Sequence, residues 1–222
     1  MSLCITDFEA TCWNYRPRNP TQEIIEIGCV RIDPETLDEI DSICVLIKPK
    51  YNPKLSKFCT RLTNITQEMI DSQGVKFGEG LSKWAATIKP DDVFCSWGDF
   101  DRKILMNNCK LFRNPYPFRT RHINIKPFIG RVMINAGKMW EKTGCGLATA
   151  VQRVNLTFEG VQHRGIDDAR NIVNVMREIQ AILDYSGEEI SLGKKLVEMS
   201  KANKADWMSF SQGENDGTNQ GN

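Results

Sequence analysis

Residues 3–9 of this chain are Leu3-Cys4-Ile5-Thr6-Asp7-Phe8-Glu9, an apolar run that ends in two acids separated by one residue. The apolar and β-branched residues predict a central β-strand. Because residues two apart in a strand share a face, the carboxylates of Asp7 and Glu9 are expected on one side and Phe8 on the other. A D-x-E triplet is weak evidence by itself, since Asp33-Pro34-Glu35 also matches it and has the composition of an ordinary turn.

The pattern that follows this strand predicts two more strands and then helices that alternate with strands. Turn-forming stretches separate the first three strands, which favours antiparallel pairing among them. Helices between the later strands favour crossover connections, so the predicted fold class is α/β, a mixed five-stranded sheet flanked by helices. The later strands are predicted at residues 23–33, 39–48, 93–97 and 122–125, and the helices at 67–72, 77–88, 99–112, 127–135, 147–154 and 167–183.

A chain of 222 residues fits a single α/β domain, and we expect the enzymatic domain to cover residues 1–185. Residues 186–208 predict a C-terminal helical extension. Residues 209–222 are rich in Ser, Gln, Gly and Asn and predict a mobile tail. The apolar runs are too short to cross a bilayer, so no membrane contact is expected. The N-terminus lacks the features of a signal peptide, which predicts a cytoplasmic protein and leaves access to the nucleus open.

The cysteines and the charged residues limit the classes of function that the composition allows. The eight cysteines form no C-x-x-C pair, which predicts reduced thiols rather than zinc ligands or redox pairs. The net charge of +1 excludes a protein that coats nucleic acid through a strong overall positive field. Two basic stretches, residues 48–61 and 102–138, are consistent either with solvated loops or with surfaces that contact phosphate.

Helical periodicity selects two further acids as interior residues. On the predicted helix after residue 98, Asp101 lies near the middle of the apolar face, whereas Asp99 lies on the opposite side as an N-cap or first-turn acid. On the last long helix, Asp168 borders the apolar stripe and Asp167 points toward solvent. His163 precedes this helix. The flexible backbone of Gly165 would let the His163 imidazole reach the cleft in which these acids are expected.

Four carboxylates in one place repel each other by roughly 4 kcal/mol per pair at 4 Å and an effective dielectric near 20. Such a cluster requires bound cations or raised pKa values. All-oxygen ligands favour Mg²⁺ or Mn²⁺ over zinc, and two such ions are a known arrangement for displacement at phosphorus. A histidine with a pKa near 6.5 is suited to take a proton from the attacking water.

Asp7-x-Glu9, Asp101 and His163-x-x-x-x-Asp168 together resemble the motif set of the DEDDh exonuclease superfamily. The finer resemblance is to the branch that contains the histone-mRNA 3′-exonuclease, relatives that restrain RNA interference, and bacterial KapD-like proteins. It covers about residues 1–185 and departs from the branch at Asn64, where a glycine is usual. The segments that carry it are residues 7–12, 58–66, 96–101, 122–126 and 163–171.

The resemblance implies a ribonuclease-H-like fold and hydrolysis of single-stranded RNA from its 3′ end to nucleoside 5′-monophosphates. It implies that Asp7, Glu9, Asp101 and Asp168 ligate two Mg²⁺ or Mn²⁺ ions and that His163 is the general base. Two aromatic residues, Trp97 and Phe100, are among the implied contacts to the substrate, and for both of them core packing is favoured over base stacking. The implied contacts to the terminal nucleotide are Ala10, Thr11, Leu62, Thr63, Thr66, Trp97 and Phe100.

Three other interpretations remain at this level. The first is a proofreading-type DNA 3′→5′ exonuclease, which uses the same catalytic chemistry. The motifs do not separate it from an RNA exonuclease, because discrimination between RNA and DNA depends on contacts to the 2′-hydroxyl. An inactive nucleic-acid-binding domain of the same fold is disfavoured because all five catalytic side chains are present. A purely structural α/β domain would leave an aspartate, Asp101, unexplained on an apolar face.

Overall fold

The computed structural model describes residues 1–15, 17–18, 21–187 and 190–201. Five strands form one mixed sheet within these ranges. They are β1 (Leu3–Ala10), β2 (Ile24–Ile32), β3 (Glu39–Leu46), β4 (Val93–Ser96) and β5 (Ile123–Asn124). Their order across the sheet is β3-β2-β1-β4-β5.

The strand pairing confirms the predicted mixed sheet. The first three strands pair antiparallel, as short connections require, while β4 and β5 join parallel to β1 and β4 after helical crossovers. β1 therefore lies in the middle of the sheet with helices on both faces, which explains why seven of its eight residues are buried. The Asp33-Pro34-Glu35 triplet forms a turn between β2 and β3, as expected, with Asp33 accepting from the backbone N–H groups of Glu35 and Thr36.

Eight helices cover this sheet in the described part of the chain. They are α1 (Lys57–Thr63), α2 (Gln67–Gln73), α3 (Phe77–Ala85), α4 (Phe100–Phe112), α5 (Ile125–Asn135), α6 (Leu147–Arg153), α7 (Gly165–Tyr185) and α8 (Leu192–Lys201). None of them combines the length and the apolar character that crossing a membrane requires.

Helix α1 was not predicted from the sequence. It has only seven residues and no clear apolar period, so its pattern carries little helical signal. Its two ends supply the stability: the Ser56 side chain accepts from the N–H of Cys59, and Asn64 adopts the left-handed conformation at φ 57°. The Asn64 geometry explains why glycine or asparagine suits this position.

The core is divided between the two faces of the sheet, and β1 contributes to both. Leu3 and Ile5 belong to the cluster under α5, α7 and α8, whereas Cys4 and Phe8 belong to the cluster under α3 and α4. Phe8 makes an edge-to-face contact with Trp84 at a centroid distance of 5.4 Å. The alternation places Asp7 on the opposite face from Phe8, as the strand periodicity predicted, and α7 covers the face of Asp7.

Helix α8 falls within the predicted C-terminal extension. Its residues Leu196 and Met199 are buried in the same apolar cluster as α7, so this helix completes one face of the core. The rest of the predicted extension after residue 201 and the predicted tail at 209–222 lie outside the described residues. All eight cysteines are free, and six are buried, in agreement with the prediction of reduced thiols.

Candidate active site

The end of β1 and the start of α7 bring three acids together. Asp7, Glu9 and Asp168 each offer a carboxylate oxygen, and these atoms all lie within 4.8 Å of one another. Asp7 and Glu9 share a face of β1, and Asp168 lies in the first turn of α7. Two of the three residues are buried and Asp7 is half-buried, so the group forms a recessed anionic site.

Two glycines allow α7 to approach β1 closely enough for this grouping. Gly28 lies opposite Asp7 across the β1–β2 pair, and a Cβ there would meet the Gly165 backbone at 2.0 Å. A Cβ on Gly165 would in turn meet the carbonyl oxygen of Asp7 at 2.6 Å. Both positions therefore require glycine, because any side chain would push the start of α7 away from the sheet.

An ion pair that the sequence analysis missed fixes the start of α7. Glu26 is fully buried opposite Glu9 on β2, and its Oε1 accepts from Nε and a terminal nitrogen of Arg164 at 3.0 and 2.6 Å. Its Oε2 accepts from the N–H of Gly165 at 2.6 Å. The criterion that selected Asp101, an acid among apolar residues of one element, would also have found Glu26 in β2.

Asp101 is the fourth acid, and the helical periodicity placed it correctly. It is 4% exposed, and its Oδ1 accepts from the N–H of Phe8 at 2.9 Å, next to Asp7. Burial raises the pKa of Asp101 to about 6, while backbone hydrogen bonds from Phe8 and from its own amide act in the opposite direction. Asp99 is exposed and occupies the predicted N-cap position of α4, although its side chain makes no cap hydrogen bond.

Burial raises the pKa values of all four acids, and the charges of neighbouring site acids add to it at Asp7 and Glu9. Burial is the largest cause of the raised pKa of Asp7, followed by the charges of Asp101 and Asp168. Burial and the charge of Asp168 raise the pKa of Glu9 to about 9. Burial also raises the pKa of Asp168 to about 7, and the amide of His163 acts against it. In the metal-free protein, protons reduce the repulsion that four ionised carboxylates would have.

A bound cation fits this donor set. Oδ2 of Asp168 is buried and has no hydrogen-bond partner among the described residues. A buried carboxylate oxygen without a donor is costly, and a metal ion would satisfy it. Oxygen ligands of this kind suit Mg²⁺ or Mn²⁺. Asp7, Glu9 and Asp168 could hold an ion directly, and Asp101 lies beside them.

His163 lies in the turn that leads into α7. Its side chain is exposed, and its backbone is left-handed at φ 61°, an uncommon conformation for a residue other than glycine. The turn is fastened by Asp167, whose Oδ2 accepts from the N–H of Val161 at 2.9 Å. Asp167 is thus half-buried in a turn, which corrects the expectation that it points to solvent.

The residues implied as nucleotide contacts differ in accessibility. Ala10, Thr11 and Thr63 are buried, and the Thr63 hydroxyl is engaged by the carbonyl of Cys59 and the N–H of Ile65. Leu62 is half-buried, and the exposed Thr66 caps α2 through the N–H of Met69. The structure thus offers Leu62 and Thr66, rather than the Thr63 side chain, at the surface of this segment.

The two aromatic residues near Asp101 have different environments. Trp97 packs against the core and its Nε1 donates to the carbonyl of Cys145 at 2.9 Å, as the core interpretation predicted. Phe100 is 47% exposed, so core packing is wrong for this residue. It is the first residue of α4, and helical periodicity does not report how neighbouring segments cover the end of a helix.

The fold and the acidic site define an exonuclease of the ribonuclease-H-like type, and comparisons with known proteins agree. The family model described as exonuclease (RNase_T) matches residues 4–176. The chain therefore belongs to this exonuclease family, and its relatives assign it to the 3′→5′ exonucleases.

The relatives include proteins of very different origin. The 3′-5′ exoribonuclease 1 of Mus musculus is 30% identical over 210 residues, which cover 90% of this chain and 59% of the relative. The probable 3′-5′ exonuclease KapD of Bacillus subtilis is 31% identical over 193 residues, which cover 83% of this chain and 87% of the relative. The chain thus spans about three fifths of the mouse protein and most of the bacterial one.

A solved structure shows the same fold with a nucleotide. The nuclease domain of 3′hExo, a DEDDh family member bound to rAMP, is 30% identical and superposes with a TM-score of 0.68. The match covers 85% of this chain and 94% of that domain.

Proposed function

We propose that this chain is a metal-dependent 3′→5′ exoribonuclease that removes nucleoside 5′-monophosphates from single-stranded RNA ends. The observation that carries the proposal is the trio Asp7, Glu9 and Asp168, with oxygens within 4.8 Å and one buried oxygen lacking a donor. The exoribonuclease relatives and the neighbour bound to rAMP favour RNA as substrate. A cytoplasmic site of action, predicted from the sequence, is part of the same proposal.

Asp7, Glu9, Asp101 and Asp168 would hold two Mg²⁺ or Mn²⁺ ions. When bound, such ions supply a water nucleophile and stabilise the oxygen that leaves phosphorus. The protein's contribution is to fix the ligands before substrate arrives. The Phe8 amide orients Asp101, and the Glu26–Arg164 pair holds the turn of α7 that carries Asp168.

His163 is proposed as the general base that takes the proton from the attacking water. Two observations support this role: His163 is exposed, and it lies in the turn that leads into α7, five residues before Asp168. A neutral imidazole accepts a proton near pH 7, and a positioned base contributes typically 10²- to 10⁴-fold in rate. His163→Ala is therefore expected to lower kcat by roughly 10²-fold or more while RNA binding is retained.

The test uses RNA and DNA oligonucleotides labelled at the 5′ end, with Mg²⁺ or Mn²⁺ and with chelator. The wild-type protein should shorten the RNA one nucleotide at a time from the 3′ end, only in the presence of metal. Asp101→Asn should lower the rate by at least about 10³-fold, because an amide is a poor substitute for an anionic ligand.

Asp99→Asn is the matched control, since Asp99 is two residues away and exposed. Degradation that continues in chelator, or equal rates for the two asparagine variants, would refute the metal site. A higher rate on the DNA of the same sequence would refute the RNA preference and support the DNA exonuclease alternative.

A further inference from the structure

Three aromatic rings form a row that leads from the core on the α3 and α4 face of the sheet to the surface. Phe77 is buried and stacks on Phe112 at a centroid distance of 5.0 Å and an angle of 29°. Phe112 lies next to Tyr51 at 6.0 Å and 30°. Tyr51 is 45% exposed, so the last ring of the row presents its outer surface to solvent.

Lysines surround this row. A cavity of about 690 Å³ is lined by Lys48, Lys50 and Lys76 together with Phe112. The Nζ of Lys50 lies 5.4 Å from the centre of the Tyr51 ring. All three lysines are exposed, so the cavity wall offers cations next to a flat aromatic surface.

The acids near the cavity do not cancel this charge. Glu79 also lines it, but Lys83 pairs with Glu79 at 2.9 Å. Lys48 donates to the backbone carbonyl of Asp71 at 3.1 Å, which fixes its ammonium group without neutralising it.

A buried carboxylate fixes the segment that carries Tyr51. Glu23 is 1% exposed, and its two oxygens accept from the backbone N–H groups of Lys50, Tyr51 and Asn52 at 2.6 to 3.0 Å. Burial of a carboxylate costs several kcal/mol unless donors compensate it, so these three amides and Glu23 form one rigid unit. The main-chain position of Tyr51 is therefore set in advance.

The same glutamate connects this unit to the end of β1. Its backbone carbonyl accepts from the N–H of Thr11 at 2.9 Å, and its N–H donates to the Thr11 hydroxyl at 3.0 Å. Thr11 is two residues from Glu9. The segment that carries Tyr51 is thus connected through Glu23 and Thr11 to the strand that carries Glu9, and it lies outside the group of Asp7, Glu9 and Asp168.

We propose that Tyr51, with Lys48, Lys50 and Lys76, binds single-stranded RNA upstream of the nucleotide being removed. A base stacks on the exposed face of Tyr51, and the lysines contact the flanking phosphates. This inference rests on the proposed function for the identity of the strand. The aromatic face and the surrounding cations together favour a single-stranded nucleic acid over a protein partner.

The test compares Tyr51→Ala with Tyr185→Ala, because Tyr185 is 96% exposed at the end of α7 and far along the chain from the cavity. Steady-state kinetics use 5′-labelled RNA of 3 and 12 nucleotides with Mn²⁺. Stacking contributes about 1–3 kcal/mol per base, which corresponds to a rise in KM for the 12-mer of about 5- to 150-fold in Tyr51→Ala. The kcat and the KM for the 3-mer should stay within about two-fold, and Tyr51→Trp should restore the KM for the 12-mer.

A binding measurement without turnover separates this inference from the proposed function. Fluorescence anisotropy of the 12-mer in chelator should show the same weakening in Tyr51→Ala, and Lys50→Ala should reduce the salt dependence of binding. If Tyr51→Ala matches Tyr185→Ala at both lengths while wild-type protein degrades RNA, the inference is overturned and the proposed function stands. If wild-type protein fails to degrade RNA but binding still depends on Tyr51, the proposed function fails and the binding surface stands.

Discussion

Replacing Glu9 with glutamine should stabilise the metal-free protein even though it removes a proposed metal ligand. Burial and the neighbouring Asp168 raise the pKa of Glu9 from 4.5 to about 9. The native state therefore holds a proton at pH 8 that the unfolded chain has lost. Because the native state binds more protons, its stability falls as pH rises from about 4.5 toward 9.

The size of the effect follows from this pKa. Each pKa unit corresponds to about 1.4 kcal/mol, so keeping Glu9 protonated at pH 8 costs roughly 5 kcal/mol, and at pH 5 less than about 1 kcal/mol. Relaxation around the site reduces the larger figure, and we expect Glu9→Gln to gain about 2–4 kcal/mol at pH 8. That corresponds to a rise in Tm of roughly 4–16 °C for a chain of this size.

The assay is thermal unfolding with chelator at pH 5 and pH 8, repeated with excess Mn²⁺. Glu39→Gln, at an exposed position of β3, is the control and should show no pH-dependent gain. Mn²⁺ should stabilise the wild-type protein more than Glu9→Gln, because binding to the native state alone adds stability. A Glu9→Gln variant that gains nothing at pH 8, or gains equally at pH 5, would refute the assignment of Glu9 as a destabilised, buried ligand.

Three other substitutions test the framework around the site. Arg164→Ala leaves the buried Glu26 carboxylate without its cation, so it should lower the free energy of unfolding in urea by roughly 3–5 kcal/mol and also lower kcat. Arg177→Ala, which removes a largely exposed ion pair, is the control and should lower the free energy of unfolding by less than about 1 kcal/mol. Asn108→Ala removes three hydrogen bonds, two of them to the backbone at the start of β2, and should lower stability by about 2–4 kcal/mol; an unchanged urea midpoint would contradict that role. Asn64 has φ 57°, so Asn64→Gly should change the free energy of unfolding by no more than about 1 kcal/mol, whereas Asn64→Val should lower it by about 2 kcal/mol. Equal unfolding midpoints for the two variants would argue against the left-handed cap.

Periodicity alone selected Asp7, Glu9 and Asp101 among the acids of their own elements. The two-residue repeat of β1 placed Asp7 and Glu9 on one face, and the helical repeat of α4 chose Asp101 over Asp99. These results hold because the direction of a side chain depends on its own strand or helix, and the packed face of that element is visible in its apolar residues. The order of strands and helices likewise determined the mixed sheet, since connection length limits how neighbouring strands pair.

Only the tertiary structure decided how far apart those acids lie. Gly28 and Gly165 meet across more than a hundred residues, and the Glu26–Arg164 pair closes the same gap. Such contacts leave no periodic signal, because each partner has an ordinary local environment in its own segment. Helix α1 was missed for a different, local reason: its two caps, rather than an apolar period, stabilise it.

The tertiary structure also decided the surface around the site. Phe100 and Tyr51 are exposed although aromatic side chains tend to be buried, and their own segments carry no sign of it. Glu23 holds the segment of residues 50–52 in place only in the folded chain, where its carboxylate accepts from three backbone N–H groups of that segment. The sequence by itself thus determined the chemistry of the site, an acidic group suited to a cation, because residue type and local period define it. The folded chain decided the distances between the acids and the exposed surface around them, because both depend on contacts between segments that are far apart in sequence.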